Sequence, residues 1–290
     1  MGEAWFMSAE RRVYPELLGD LADIPLEDLQ RILVEIASGT SSFGPHDEWR
    51  DWFHYLLPRL VPRSHETFVC STLEVLITAV LTQYPTGLEG ARYPGFREDV
   101  LGTVGQCLMD AVCWPDGVLD ANVCLNRHFV TRVGLWFWDQ ASGPLSASMF
   151  LCLKYLLPQQ VKPWLDSVLA IDEPHWRAQV MIWFLGAHGM LSGAVRQPSQ
   201  FAVSDYPAID WDWSHCLTGN YSGDHRDNVT KVEFVSEANR RSAIEAVKGH
   251  FSEPVFLDWL QSFATDPSLE AELAETPYWF YDLYRDKSGA

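Results

Sequence analysis

A segment in the second half of the chain concentrates side chains of the kinds that bind metal ions. Between positions 205 and 227 lie five carboxylates, two imidazoles and one thiol: Asp205, Asp210, Asp212, His215, Cys216, Asp224, His225 and Asp227. Such groups bind a divalent ion when their spacing lets them converge on it. Their spacing here follows no metal-ligand pattern, and Asp, His and Gly are common in loops. We therefore predict no metal site.

Linear signatures of catalysis are missing from the sequence. It contains no G-x-S-x-G, Walker A, G-x-G-x-x-G, H-E-x-x-H or EF-hand motif. His65-Glu66 begins like the metalloprotease helix, but Val69 occupies the position of the second His. The sequence predicts no catalytic residue and no cofactor, and it favours a binding protein over an enzyme.

Two tryptophans alternate with two carboxylates at Asp210, Trp211, Asp212 and Trp213. In extended backbone this spacing places both indoles on one side and both carboxylates on the other. Such a strip could recognise a partner, because Trp is enriched at interface hot spots and carboxylates attract Lys and Arg. The other interpretation, which we favour, is that the indoles anchor the segment to the body of the protein.

The last part of the chain is strongly acidic. Between Gly249 and Tyr284 there is no Lys or Arg, and there are seven acids: Glu253, Asp258, Asp266, Glu270, Glu272, Glu275 and Asp282. The whole chain has a formal net charge of −18. A field of this sign repels nucleic acids and anionic membranes and attracts basic proteins. The first six of these acids, with Asp210 to Trp213, are therefore our candidate partner-binding residues.

These features lead to two hypotheses about function. The preferred one is a cytoplasmic, acidic helical binding or scaffold protein that engages a basic protein, for example as an immunity or antitoxin-like neutraliser. The alternative is an enzyme or small-ligand-binding protein with an aromatic-lined pocket between helices, since the chain holds 13 Trp, 15 Phe and 10 Tyr. The cytoplasm is expected because no signal peptide, no membrane-length apolar run and no paired C-x-x-C cysteines are visible. The oligomeric state is not predicted.

Helical periodicity and proline-led helix starts predict an all-α fold. Residues 26–38 follow such a pattern, with Gly39 expected to end the helix. Short connections favour antiparallel helix pairs, arranged as an α-solenoid or as a large helical bundle. The consecutive aromatics Trp136, Phe137 and Trp138 cannot all face one side of a helix, which is compatible with a helix sandwiched between neighbours.

One short repeat favours the solenoid. Tyr55-Leu56-Leu57-Pro58 recurs as Tyr155-Leu156-Leu157-Pro158, and in each copy the Pro is expected to break a helix. Beside the second copy, helix 159–170 and helix 175–191 form a pair that resembles one HEAT-like unit. The resemblance covers that unit alone, and no family is identified.

The chain is predicted to comprise a main helical body (1–191), a long aromatic and acidic irregular segment (192–228) and a C-terminal helical part (229–290). The alternative is that these three parts form one continuous domain. The irregular segment holds two Trp and two Tyr (Tyr206, Trp211, Trp213 and Tyr221), so we expect it to pack against the body. Residues 229–235 alternate as a strand would, but a lone strand has no sheet to join, so a helical or irregular conformation is at least as well supported.

Overall fold

The computed structural model describes residues 20, 23–43, 47–60, 68–88, 93–109, 128–130, 135–137, 140–201, 208–217 and 233–284. Within these ranges twelve α-helices dominate, which confirms the predicted helical class. They are α1 (Leu26–Phe43), α2 (Asp47–Leu60), α3 (Phe68–Gln83), α4 (Phe96–Val100), α5 (Gly143–Tyr155), α6 (Pro158–Leu169), α7 (Pro174–Gly186), α8 (His188–Ser192), α9 (Glu237–His250), α10 (Glu253–Phe263), α11 (Pro267–Glu272) and α12 (Thr276–Tyr284).

Two short strand pairs accompany the helices. Strand β1 (His128–Val130) runs antiparallel to β2 (Leu135–Phe137), and β3 (Gln140–Ala141) runs parallel to β4 (Ala208–Ile209). The expectation of a sandwiched helix around Trp136 and Phe137 is wrong, since these residues lie in strand β2.

Helices α5 and α7 form the centre of the molecule. Almost every residue of each is buried, and neither has a polar face. A helix that is apolar all round must be covered by other elements, and α3 packs on α5 while α10 and α12 pack on α7. The amphipathic helix α6 packs against α9. Residues from Ile24 to Tyr284 contribute to one continuous apolar core.

Local signals set several helix starts as predicted. Proline occupies the first turn of α5, α7, α10 and α11, where its missing N–H is not needed. The Ser142 hydroxyl accepts a hydrogen bond from the Leu145 amide and so caps α5. These starts depend on neighbouring residues alone, which is why the sequence reveals them.

Gly39 does not end a helix, contrary to expectation. It lies inside α1, which continues to Phe43. A Cβ at this position would lie 2.6 Å from the indole of Trp49 on α2. The glycine therefore permits close packing of α2 on α1, and its role depends on a residue from another helix.

The repeated Tyr-Leu-Leu-Pro does not have the same structure in both copies. Pro158 begins α6, so the second copy separates two helices as predicted. Pro58, in contrast, lies within α2, which extends to Leu60. The expected break at Pro58 is wrong, and the two copies are not equivalent structural units.

The described parts of segment 192–228 are mainly irregular. They include 3₁₀ turns at Pro198–Gln200 and Asp212–Cys216, together with strand β4. Residues 233–235, the described end of the alternating stretch, are not in a strand. The three-part division of the chain remains a prediction.

Candidate functional site

Trp211 anchors the Asp-Trp-Asp-Trp strip to the core. Its side chain is buried, and its indole Nε1 donates a hydrogen bond of 3.1 Å to Oγ1 of Thr78 on α3. The ring stacks on Phe150 of α5, with centroids 5.8 Å apart. Trp211 therefore anchors the segment to the body of the protein. It could contact a partner only by leaving the core.

Glu74 on α3 forms a hydrogen bond with the 3₁₀ turn that begins at Asp212. Its Oε1 accepts a hydrogen bond of 3.0 Å from the backbone amide of Trp213. Burial, with smaller contributions from Asp212 and Asp210, raises the pKa of Glu74 to about 7, although the backbone hydrogen bonds act in the opposite direction. Asp212 is exposed, while Asp210 and Trp213 are half-buried. Asp212 thus remains accessible beside the half-buried carboxyl group of Glu74, but the strip is not extended, because Asp212 and Trp213 lie in a 3₁₀ turn.

Two of the C-terminal candidate acids already bind groups within the protein. Asp258 on α10 is 3.1 Å from the guanidinium of Arg177 on α7, which also lies 3.0 Å from Asp172. Arg177 is buried, but the side chain of Asp258 is 64% exposed. Asp258 therefore joins α10 to α7 and still presents charge to solvent.

Asp266 is the second of these acids, and it belongs to a cluster around His175. The two ring nitrogens of His175 lie 2.8 Å from Glu173 and 3.0 Å from Asp266. Glu173 caps α7 through the Trp176 amide, and Asp266 caps α11 through the Ser268 amide. Hydrogen bonding to Glu173 is the main cause that raises the pKa of His175. The imidazolium, with two N–H donors, fits between the two capping carboxylates.

Glu253, Glu270 and Glu275 are exposed in the C-terminal helices. Glu253 begins α10, Glu270 lies on α11 and Glu275 directly precedes α12. The side chain of Glu272 lies outside the described part of the chain. The structure thus gathers the C-terminal candidates on or next to α10 to α12, while Asp210 to Trp213 pack on α3. Helices α10 and α12 pack on α7, and α11 packs on α10.

An apolar groove of about 200 Å³ opens between α10, α11 and α12. Its walls are mostly apolar and aromatic: Phe256, Leu260, Phe263, Leu273, Pro277 and Tyr278. Ala264 and Ala274 complete the lining, together with Glu270, its single charged member. Tyr278 is 74% exposed and Leu257, on the same helix as Phe256, is 55% exposed. Exposed apolar side chains therefore lie in the groove wall, at Tyr278, and elsewhere on α10, at Leu257.

The size of this groove bears on the alternative hypothesis. It is an aromatic-lined cavity between helices, as a small-ligand site would be. Pockets for drug-sized ligands, however, usually occupy roughly 300–1,000 Å³ and bury most of the ligand. An open groove of about 200 Å³ is better matched to one or two protein side chains.

Other chemistry receives little support from the described residues. No group of three or more His, Cys, Asp or Glu among them is arranged to hold a metal ion. Asp205, Asp224, His225 and Asp227 lie outside the described ranges. The Cys216 thiol is 3.5 Å from the His215 ring, but burial raises its pKa to about 11, which disfavours the nucleophilic thiolate. No helix in the described ranges is long and apolar enough to cross a membrane.

Sequence patterns alone did not reveal Glu74, Arg177 or the groove. Glu74 and Arg177 look like ordinary helix residues until their partners from other helices are placed. A weak signal for the groove existed, since Leu257 adds an apolar residue outside the stripe of Phe256, Leu260 and Phe263. No family model, curated protein or solved structure matches this chain.

Proposed function

We propose that this chain is a binding protein whose C-terminal acidic surface, the exposed side of α10 to α12, engages a basic protein. One observation carries the proposal: an apolar groove that Glu270 lines lies in a stretch, 249–284, that has no Lys or Arg and in which Glu253, Glu270 and Glu275 are exposed. Apolar surface provides affinity, and the surrounding charge provides specificity and fast encounter.

A neutraliser of a cationic enzyme, similar in role to an immunity protein or antitoxin, is one form of this function. It requires a complementary surface and no chemistry of its own. The proposed compartment is the cytoplasm. The free thiols of Cys152 and Cys216 support this choice, because reduced cysteines are usual there.

The helical arrangement proposed for this binding protein is a bundle of antiparallel pairs rather than a regular solenoid. Helix α9 packs on α6, and α12 packs on α7, across long separations in sequence. In a solenoid each repeat contacts chiefly its neighbours. The packing of α10 and α12 on α7 favours a rigid binding surface.

Affinity capture from the source cells tests this function. Wild-type protein and the triple variant Glu253→Lys/Glu270→Lys/Glu275→Lys would be immobilised, and captured proteins identified by mass spectrometry at low and high salt. We expect wild type to retain a protein of high isoelectric point that high salt releases and the triple variant does not retain. Capture of only neutral or acidic proteins, insensitive to salt and to the reversals, would refute the proposed function.

A further inference from the structure

The walls of the groove present apolar side chains at helical spacing. Phe256, Leu260 and Phe263 lie three or four residues apart along α10, so they form one stripe. Leu257 lies three residues before Leu260 and extends that stripe towards solvent. Tyr281 of α12 contacts Phe256, with ring centroids 5.4 Å apart. This contact joins α10 to α12, and Tyr278 of α12 lines the groove together with Phe256.

Exposed acidic residues lie on or next to the helices that form the groove. Glu253 precedes Phe256 by three residues on α10, and Asp282 follows Tyr278 by four residues on α12. Both acids are exposed, as is Glu275, three residues before Tyr278. Glu270 lies in the groove wall itself. An occupant must therefore combine an apolar surface with positive charge on its flanks.

The geometry of the walls selects the kind of occupant. Three helices form the groove, so an extended peptide would find no strand edge there to pair with, whereas a helix lying in a groove between helices is a common recognition mode. A second copy of this chain is disfavoured, because its net charge of −18 would repel the acidic rim.

We propose that the groove between α10, α11 and α12 binds an amphipathic basic helix of the partner protein. One or two apolar side chains of that helix enter the groove beside Phe256 and Tyr278. Its Lys and Arg residues face Glu253, Glu270 and Glu275. This inference rests on the proposed function and adds to it the secondary structure and the apolar anchor of the partner.

The test uses three stapled helical peptides of about five turns each. The first has an apolar stripe flanked by Lys. The second has the same composition with the apolar residues dispersed. The third keeps the stripe but carries Gln in place of Lys. Binding to the full-length chain is measured by fluorescence anisotropy.

Two protein variants separate the groove from the rest of the surface. Ala274→Trp fills the groove from an exposed position without removing a core side chain. Ala238→Trp makes the same change at an exposed position on α9 and is the matched control. Circular dichroism and thermal melting verify that both variants remain folded.

We expect wild type to bind the Lys-flanked amphipathic peptide at least about tenfold more tightly than either other peptide. Ala274→Trp should weaken this binding by about tenfold, and Ala238→Trp by less than about twofold. Equal binding of the dispersed peptide, unaffected by Ala274→Trp, would overturn the groove inference while leaving the acidic binding surface intact. Equal binding of the Gln peptide would overturn the basic partner instead. Failure of all three peptides to bind would overturn both the groove inference and the basic partner.

Discussion

The guanidinium of Arg177 lies over the indole of Trp259, 5.4 Å from the ring centre, and both side chains are buried. The same guanidinium forms ion pairs with Asp258, the residue before Trp259, and with Asp172, which precedes α7. One side chain of α7 therefore fixes both the rotation and the position of α10. Because α10 forms a wall of the groove, Arg177 supports the proposed binding surface from beneath.

Substitution of Arg177 should destabilise the fold. Arg177→Ala removes two ion pairs, a cation–π contact and buried aliphatic packing, so we expect a loss of about 1–3 kcal/mol. Urea denaturation measures it. Lys162→Ala provides the comparison, because it breaks an exposed ion pair with Asp166 and should cost less than about 1 kcal/mol. Equal costs for the two variants would mean that Arg177 does not hold α10.

His175 should stabilise the protein more at acidic than at alkaline pH. Its pKa is raised above 6.5, so its stabilising effect is complete below that value and is lost as pH rises through the folded-state pKa. Hydrogen bonds from Ser268 lower the pKa of Asp266 below 3.8, so its charge persists across this range. His175→Gln should therefore cost more unfolding free energy at about pH 5.5 than at about pH 8.5.

Asp266→Asn is the control for this pH effect. Asparagine keeps the helix cap of α11 but removes the negative charge that faces His175. The pH-dependent cost of His175→Gln should be smaller in the Asp266→Asn background, as measured by urea denaturation. An unchanged cost at both pH values would show that Asp266 does not contribute to the cluster.

Glu74 should also make the protein less stable as pH rises. Its folded-state pKa is about 7, against 4.5 for an ordinary Glu, so the folded state holds the proton more tightly than the unfolded state. The free energy of unfolding is therefore highest when Glu74 is protonated at low pH, and it falls as pH rises from about 4.5 to about 7. Relative to wild type, Glu74→Gln should gain stability across this range, on the order of 2 kcal/mol. If the free energies of unfolding of wild type and Glu74→Gln changed in parallel with pH, the raised pKa of Glu74 would be contradicted.

Two glycines in helices should respond in opposite ways to replacement by alanine. Gly39→Ala places a methyl group against Trp49, and such overpacking costs about 1–3 kcal/mol, which outweighs the better helix propensity of Ala. Gly249→Ala in α9 meets no atom within 4 Å and should be neutral or stabilising, by up to about 1 kcal/mol. Thermal melting distinguishes the two, and similar shifts would contradict the packing role of Gly39.

The sequence predicted features that depend on neighbouring residues. The starts of α5 and α7 follow from prolines and capping side chains within one turn. The role of Gly39 could not be predicted, because it depends on an indole from another helix. Pro58 was misread for a related reason, since a proline motif that separates two helices in one copy is tolerated within α2 in the other.

The candidate surface was predicted only as a charge pattern. The sequence shows seven acids without a base, but it does not show that Asp258 and Asp266 contact Arg177 and His175 on α7. The groove itself could not be predicted, because its walls come from three helices whose packing is set by the core. Its residues could be identified only as apolar positions on separate helices.

The association rate of the Lys-flanked amphipathic peptide tests the proposed binding surface most directly. Stopped-flow measurements would compare wild type, Glu253→Lys/Glu270→Lys/Glu275→Lys and a matched reversal of three exposed acids elsewhere, Glu27→Lys/Asp51→Lys/Glu98→Lys. Both triple variants change the net charge equally. Ionic strengths of about 0.01 M and 0.15 M give screening lengths of about 30 Å and 8 Å.

We expect wild type to associate at least about tenfold faster at low than at high ionic strength, because charge steers the encounter. Glu253→Lys/Glu270→Lys/Glu275→Lys should abolish most of this acceleration at low ionic strength. Glu27→Lys/Asp51→Lys/Glu98→Lys should retain most of it. Equal slowing by the two triple variants would show that total charge governs association, and would contradict a binding surface on α10 to α12.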